Sequence, residues 1–296
     1  MVVVLSYRVE TFVIRTRFAP SPTGPLHLGH AYSAITAHDF ARVQGGEFLL
    51  RIEDIDQSRA RPVWEAQILD DLHWLGLTWH GPVLRQSKRL TTYSEAIEIL
   101  NAAGLLYRCT CTRRDIAQAV SAPQEGVLTN SCPDSTVYPG TCRSSDETIK
   151  RIEGAPLRLN MALALNGRSS VSFMELMSSQ SLPKININNT KYIIDKIGDI
   201  VILRKNEEAA YHLAVVVDDA AQDITHVVRG DDLKLATPIH AVLQQLLGLP
   251  TPTYMHHPLI RDETGKRLAK RDDAKAISKF RAEGATPAGI RAMIGL

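Results

Sequence analysis

The chain has 296 residues, of which 44% are hydrophobic and 22% are charged, and its formal net charge is +2. This is the balance of a globular protein, which excludes extensive disorder and leaves room for one large domain or two smaller ones. No apolar run is long enough to span a bilayer, and residues 1–5 are too short for the apolar part of a secretory signal. We therefore expect a cytoplasmic protein without a membrane partner.

The start of the chain has the pattern of a strand–helix–strand unit. Residues 11–18 predict a buried strand, a helix follows from near Gly29 to Gly45, and residues 47–52 predict a second strand. Such a crossover favours a parallel, doubly wound sheet. The later elements are predicted in this order: helices at 62–75 and 88–103, a strand at 105–111, loops at 121–136 and 178–190, strands at 211–217 and 223–229, a helix at 237–247, a strand at 254–260 and a basic loop at 266–271.

Two histidines stand at the predicted turn between the first strand and the first helix. His27 and His30 share a face of the opening helical turn, and Gly29 lets a ligand approach the backbone closely. N–H groups at a helix start attract phosphate, and two imidazoles can donate to its oxygens. Such a pair alone would more often cap a helix or bind a metal. The stiff loop at 19–24, with prolines on both sides of Ser21, favours the phosphate site.

A short basic segment at 265–271 supplies a cation. Lys270 could stabilise the negative charge of a leaving pyrophosphate, although most short basic runs are only solvated loops. The phosphate-binding motifs of P-loop kinases and of dinucleotide dehydrogenases are absent from the sequence, which disfavours both classes.

Four further residues lie at or beside predicted strand ends: Arg17, Glu53, Tyr211 and Arg229. Open α/β sheets bind their ligands at the carboxyl ends of the strands. Arginines can bind carboxylates with two hydrogen bonds, and a glutamate can hold an ammonium group. The set therefore suits an amino acid with two carboxylates, such as glutamate, although each residue taken singly would more often be a surface or salt-bridged residue.

The four cysteines are clustered in the sequence. Cys109 and Cys111 have tight chelate spacing, and Cys132 and Cys142 follow. This clustering favours a zinc site over buried free thiols, and a count of thiols alone gives four cysteine ligands.

Together these motifs resemble the glutamyl-tRNA synthetase family of class I aminoacyl-tRNA synthetases. Family-like blocks stand at 17–24 (RFAPSPTG), 51–54 (RIED), 215–219 (VVVDD) and 226–232 (HVVRGDD), and the histidine turn and the basic segment look like the HIGH and KMSKS motifs. The resemblance implies an α/β fold, a Rossmann-like parallel sheet with an inserted zinc-binding subdomain and a short helical C-terminal segment. It implies four divisions: a first catalytic half at 11–107, the zinc-binding insertion and connecting subdomain at 108–196, a second catalytic half at 197–262, and the KMSKS-like loop with C-terminal helices at 263–296.

The resemblance also assigns roles to matching positions. His27, His30 and Lys270 would be catalytic. The glutamate pocket would consist of Arg17, Phe18, Ala19, Pro20, Ser21, Glu53, Tyr211 and Arg229. ATP would be bound by His27, Gly29, His30, Arg267, Leu268 and Lys270. Arg267 replaces a lysine of the KMSKS pattern and Ala269 replaces its serine, which puts the tuning of this loop in question.

Within the family the chain resembles the short members that modify queuosine, because ordinary members continue into an anticodon-binding domain whereas this sequence stops at Leu296. In those members a tyrosine is the fourth ligand of one structural Zn²⁺, which implies the set Cys109, Cys111, Tyr138 and Cys142, with Cys132 as a competitor.

The resemblance to the short members implies a monomeric ligase. It would activate L-glutamate with ATP and Mg²⁺ without needing tRNA, and transfer it to queuosine in tRNA(Asp). The alternatives are a shortened synthetase that charges the 3′ end of tRNA(Glu), a catalytically silent paralogue that binds RNA or glutamate, and a nucleotidyltransferase of the same superfamily. The last of these does not explain the glutamate set.

Overall fold

Two parallel sheets lie side by side in the computed structural model, which describes residues 13–121, 137–143, 154–260 and 275–296. In chain order the strands are β1 (Arg15–Phe18), β2 (Glu47–Ile52), β3 (Leu84–Arg85), β4 (Leu106–Arg108), β5 (Leu157–Leu159), β6 (Ser170–Leu176), β7 (Lys184–Asn189), β8 (Val201–Leu203), β9 (His226–Gly230) and β10 (Thr253–His257). The helices are α1 (Leu28–Val43), α2 (Pro62–Trp74), α3 (Leu90–Ala102), α4 (Arg113–Ser121), α5 (Met161–Ala164), α6 (Thr190–Tyr192), α7 (Tyr211–Ala221), α8 (Thr237–Leu246), α9 (Ile277–Ala282) and α10 (Pro287–Met293).

The sheet topology is that of a doubly wound fold. The first sheet has the order β1-β2-β3, and all its strands are parallel. The second has the order β7-β6-β10-β9, in which only β7 runs antiparallel to its neighbour. The two sheets meet where β1 and β9 begin: the N–H of Thr225 donates to the carbonyl of Arg15 over 3.0 Å, and the N–H of Arg15 donates to the Thr225 hydroxyl over 2.8 Å.

A third, antiparallel sheet lies apart from this pair. It consists of β4, β5 and β8, and it carries the cysteine-containing segments: β4 ends just before Cys109, and Tyr138 forms a bridge with Gly198 just before β8. The hydrophobic core has two main parts. One packs α1, β1 and β2 together, and the other packs α3, α7 and α8 against the second sheet.

The segment 211–217, predicted as a strand, is instead the first part of helix α7. Every residue from His212 to Asp219 is buried. A segment that is covered on all sides shows no hydrophobic period, and a short apolar run of this kind cannot be assigned to strand or helix by pattern alone. Tyr211 therefore lies at the start of a helix and not at the end of a strand.

The segment 178–190, predicted as a loop, contains strand β7. Its serines and asparagines are typical of loops, but Ile185 and Ile187 alternate with polar residues, and the strand pairs with β6 over six residue pairs. The helices predicted at 62–75, 88–103 and 237–247 are confirmed to within two residues. The predicted loop at 121–136 and the basic segment at 266–271 lie outside the described residues, apart from residue 121. No helix among the described residues is long and apolar enough to cross a membrane.

Candidate active site

A cavity of about 590 Å³ opens at the carboxyl ends of the parallel strands. Residues 18–21 enter it from the end of β1, Glu53 from the end of β2 and Arg229 from β9. This is the position at which open α/β sheets bind ligands. The cavity brings together the whole predicted glutamate set and three of the predicted ATP-binding residues: Arg17, Phe18, Ala19, Pro20, Ser21, Glu53, Tyr211 and Arg229 with His27, Gly29 and His30.

The two histidines cap helix α1 reciprocally. The N–H of Gly29 donates to Nδ1 of His27 over 3.1 Å, and the N–H of His27 donates to Nδ1 of His30 over 3.1 Å. A backbone N–H can only donate, so both Nδ1 atoms are acceptors and each neutral ring carries its proton on Nε2. The rings lie 3.8 Å apart between centroids and both line the cavity. The turn therefore presents two Nε2–H donors at a helix start, where a phosphate is favoured.

Arg17 is held by a carboxylate that reaches it from the other half of the chain. Its Nε and Nη2 donate to the two oxygens of Asp219 over 2.9 and 3.3 Å, and Nη1 of Arg51 donates to the same carboxylate over 2.7 Å. Burial alone would raise the pKa of Asp219, but the charges of Arg17 and Arg51 outweigh burial and hold that pKa below its usual range. Asp219 therefore stays ionised and fixes Arg17 in the cavity wall.

Glu53 carries a carboxyl group that is half-protonated near neutral pH. Burial raises the pKa of this carboxyl group to about 7, although the nearby charges of Arg51 and Arg17 act to lower it. An ammonium group bound against Glu53 would favour the ionised form and lower this pKa. The residue can therefore hold the amine of an amino acid.

Arg229 lies buried in the cavity wall, and none of the described carboxylates forms an ion pair with it. Its guanidinium donates to Nδ1 of His240 over 3.0 Å and to the hydroxyl of Thr237 over 2.7 Å. Burial lowers the pKa of Arg229. A buried guanidinium without a carboxylate partner is costly unless a ligand supplies the anion.

Several residues of the site could not be assigned a role from sequence alone. Asp219 stands in a block that was recognised as family-like, but its bond to Arg17 spans 202 positions and no local pattern shows it. Ser33 lies three residues after His30 and therefore on the same face of α1, and this spacing would have predicted its place beside the histidines. It donates to Nε2 of His257 over 2.7 Å, because Nδ1 of His257 donates to the carbonyl of Pro258. Both Ser33 and His257 line the cavity.

The predicted zinc ligands lie together away from the cavity. The sulfurs of Cys109, Cys111 and Cys142 are all within 4.8 Å of one another, close to the span of two metal–sulfur bonds of about 2.3 Å each. The Tyr138 hydroxyl oxygen is 3.5 Å from the Cys111 sulfur and accepts the N–H of Cys142 over 2.9 Å. These three cysteines could hold a metal ion, and Tyr138 is placed to complete a set of four.

Four residues of the sequence prediction lie outside the described part of the chain: Cys132, Arg267, Leu268 and Lys270. The described residues on either side of the basic segment are nevertheless at the cavity. Ile260 lines it, Ala276 forms an antiparallel bridge with His27, and the N–H of Ile277 donates to the carbonyl of Leu26 over 2.8 Å.

Sequence and fold comparisons relate the chain to known proteins. The family model for tRNA synthetases class I (E and Q), catalytic domain, matches residues 13–296. A glutamyl-Q tRNA(Asp) synthetase of Rhodobacter capsulatus is 57% identical over 284 residues, which are 95% of this chain and 99% of the relative. A protein of the same name from Nocardia farcinica is 43% identical over 94% of this chain and 82% of its own length.

Among solved structures, the glutamate-tRNA synthetase of Elizabethkingia anophelis superposes with a TM-score of 0.74 at 26% identity. The match covers 95% of this chain but only 61% of that synthetase. The α/β fold with its parallel sheets is therefore the fold of a glutamate-type synthetase. From its family match and these relatives, the chain belongs to the class I tRNA synthetases of the E and Q type.

Proposed function

We propose that this chain activates L-glutamate with ATP, without requiring tRNA, and transfers the glutamyl group to queuosine at the wobble position of tRNA(Asp). The observation that carries the activation step is the single cavity in which an ammonium-binding carboxyl group, two arginines and a histidine-capped helix start meet. The acceptor is inferred from the relatives of the same name, which are 57% and 43% identical to this chain.

The charges around the cavity favour an amino acid with two carboxylates. Asp219 is shared between Arg17 and Arg51, and none of the described carboxylates pairs with Arg229, so the Arg229 guanidinium is placed to bind a substrate carboxylate. Glu53 is the acidic group that would hold the α-ammonium. A glutamate bound here would place one carboxylate at Arg229 and leave the other for reaction with ATP.

Adenylation needs little covalent chemistry from the protein. An oxygen of the α-carboxylate attacks the α-phosphorus of ATP, the bond to the pyrophosphate oxygen breaks, and the electron pair leaves with pyrophosphate. The Nε2–H groups of His27 and His30 would donate to the phosphate oxygens as their charge grows. We assign Lys270 to the leaving pyrophosphate, since the described residues on both sides of its segment adjoin the cavity. Mg²⁺ would enter with ATP as a counter-ion of its phosphates.

In the transfer step a hydroxyl of the queuosine cyclopentenediol attacks the carbonyl carbon of glutamyl-adenylate. The bond from this carbon to the phosphate oxygen breaks, AMP leaves with the electron pair, and the hydroxyl proton passes to the AMP phosphate or to water. The nucleoside must be splayed from the anticodon loop into the cavity, as single-stranded loops permit.

One Zn²⁺ would be held by Cys109, Cys111, Tyr138 and Cys142, and its role would be structural. The thiol cluster fits a tetrahedral ion, and the Tyr138 oxygen lies 3.5 Å from the Cys111 sulfur, within the same cluster. Arg143 ties this region to the body through two bonds to Asp199, of 2.6 and 3.0 Å. We expect one zinc per chain by metal analysis. Cys109→Ser should lose it and Cys132→Ser should keep it, and loss of zinc in the Cys132 variant would make Cys132 the fourth ligand in place of Tyr138.

The experiment that tests the function is charging with labelled glutamate. It uses tRNA from cells that make queuosine, tRNA from cells that cannot, and the first tRNA with its 3′-terminal adenosine removed. We expect label on tRNA(Asp) from the first source only, retained after removal of the 3′ adenosine. Pyrophosphate exchange that depends on glutamate should proceed without any tRNA.

Two other outcomes would replace the proposal. Label on tRNA(Glu) from both sources, lost with the 3′ adenosine, would make the chain a synthetase of the 3′ end, in keeping with its likeness to the Elizabethkingia enzyme. Absence of both charging and exchange would indicate a silent paralogue.

A further inference from the structure

Arg229 is surrounded by neutral acceptors. Its Nη2 donates to the Thr237 hydroxyl and to the Leu233 carbonyl over 2.7 and 3.2 Å, its Nη1 to His240 over 3.0 Å, and its Nε to Nε2 of His256 over 3.4 Å. These described residues accept from four of its five N–H groups, and the fifth is on Nη1. The guanidinium is therefore oriented by hydrogen bonds, and no described carboxylate bonds to it directly. The Glu175 carboxylate reaches it only through His256 and is itself paired with Lys234.

The hydrogen bonds fix the proton on His240. A guanidinium N–H can only donate, so Nδ1 of His240 must be unprotonated and the neutral ring carries its proton on Nε2. That Nε2–H points at Nδ1 of His212, 3.1 Å away. Burial and the charge of Arg229 hold the pKa of His240 well below its usual value. His240 is thus a neutral acceptor that cannot become cationic while it holds Arg229.

The contrast with Arg17 in the same cavity shows what this arrangement does. Arg17 is bound through two nitrogens by the ionised carboxylate of Asp219, so much of its charge is already neutralised. Arg229 is as deeply buried as Arg17 but receives only imidazole, hydroxyl and carbonyl acceptors. A carboxylate in the place of His240 would hold Arg229 equally well and would cancel its charge.

We propose that His240 is a positioning residue that makes the site selective for a carboxylate side chain: as a neutral acceptor it orients Arg229 and leaves the guanidinium charge for the substrate. This inference rests on the proposed function, because it assumes that the carboxylate bound at Arg229 is that of glutamate. Discrimination against glutamine follows from it, since an amide gains little from a buried guanidinium charge.

Three substitutions of His240 distinguish the loss of its hydrogen-bond acceptor from the introduction of a negative charge beside Arg229. His240→Asn keeps a neutral oxygen near the position of Nδ1, and we expect the KM for glutamate to stay within about threefold of wild type. His240→Leu removes the acceptor and should raise this KM about tenfold. His240→Asp supplies an anion to Arg229 and should raise the KM by about tenfold or more and lower the preference for glutamate over glutamine by a similar factor.

The measurement is pyrophosphate exchange without tRNA, with kcat and KM determined for glutamate, glutamine and ATP. Loss of folded protein would lower the apparent kcat and leave all three KM values unchanged, so a selective rise in the KM for glutamate separates positioning from stability. His226→Asn is the matched control, because His226 is a partly buried histidine on β9, the strand that carries Arg229, and it does not line the cavity. The asparagine and aspartate variants keep a polar group toward Arg229, so the comparison holds even if the leucine variant does not fold.

Unchanged KM values and unchanged discrimination in the leucine and aspartate variants would overturn the inference while leaving the proposed function intact. Absence of exchange that depends on glutamate in the wild-type protein would overturn the proposed function, and this inference with it.

Discussion

Burial in the folded protein sets the protonation state of Glu53. Its carboxyl group has a pKa of about 7 because it is buried, and only its ionised form can bind the glutamate ammonium strongly. We expect kcat/KM for glutamate in pyrophosphate exchange to fall as the pH drops through 7, approaching about tenfold per pH unit, because kcat/KM reports ionisations of the free enzyme.

Glu53→Gln tests whether Glu53 causes this fall in kcat/KM at low pH. In the variant, kcat/KM for glutamate should be about 10- to 100-fold lower at pH 8 and should no longer fall as the pH drops through 7. If kcat/KM of the variant still falls at the same pH, then a group other than Glu53 is responsible for the fall.

Gly29 leaves space for the His27 ring as well as for a ligand. A Cβ at this position would lie 3.0 Å from Cε1 and 3.2 Å from Nδ1 of the His27 ring, which accepts the Gly29 N–H. Gly29→Ala should therefore displace the ring and lower kcat for pyrophosphate exchange by about tenfold or more. Its thermal midpoint should change little, since the higher helix propensity of alanine offsets the loss of the His27 cap.

Gly289→Ala is the control for the Gly29 variant. Gly289 lies in the first turn of α10, where a Cβ would meet only the Thr286 hydroxyl at 3.4 Å. Exchange activity should be unchanged in this variant. An equal loss of activity in both variants would contradict the steric account of Gly29.

At the scale of elements, helix α7 shows where sequence patterns stop being informative. It supplies Tyr211 to the cavity, and through Asp218 it binds Gln86, Arg89 and Tyr93. Its burial from His212 to Asp219 removes the period that would have distinguished helix from strand. Burial alone does not decide the outcome, because α8 is buried over Thr237–Gln244 and was still predicted as a helix. The run of three valines at 215–217 in α7 is typical of strands, and together with burial it favoured the wrong assignment.

The packing of α2 against α9 contains a buried carboxyl group that no described residue binds. Both oxygens of Asp71 lack a hydrogen-bond partner, and burial raises its pKa to about 6. Because this pKa is raised by folding, the protonated form is favoured in the folded state. Its contribution to stability is present at pH 4 and is lost as the pH rises through 6.

Asp71→Asn should therefore stabilise the protein at pH 7.5 by about 2 kcal/mol and have little effect at pH 4. Chemical denaturation at both pH values measures this difference. Asp70→Asn removes the neighbouring carboxylate, which is exposed and paired with Arg281 over 2.8 Å. That control should change the free energy of unfolding by less than about 1 kcal/mol. If the difference in unfolding free energy between wild type and Asp71→Asn did not depend on pH, this would contradict the titration of Asp71.

At the scale of the whole molecule, much of the site could be predicted from the sequence because its residues fall at the ends of short, well-marked elements. Residues 17–21, Glu53 and the histidine turn lie within about forty positions of one another, and local pattern together with the family resemblance points to them. The partners that hold them could not be predicted. Asp219 reaches Arg17 and Arg51 from 202 and 168 positions away, and such contacts exist only once both halves of the fold have met.

Asp219 consequently joins the two halves of the molecule. It is buried and accepts from Arg17 on β1 and Arg51 on β2, so Asp219→Asn would leave two buried guanidinium groups without their shared anion. We expect this variant to lose about 3–5 kcal/mol of unfolding free energy. Asp223→Asn, which breaks an exposed pair with Arg15, should lose less than about 1 kcal/mol. Urea denaturation of both variants gives the comparison, and equal small losses would mean that the buried cluster contributes to the binding of substrate and little to holding the halves together.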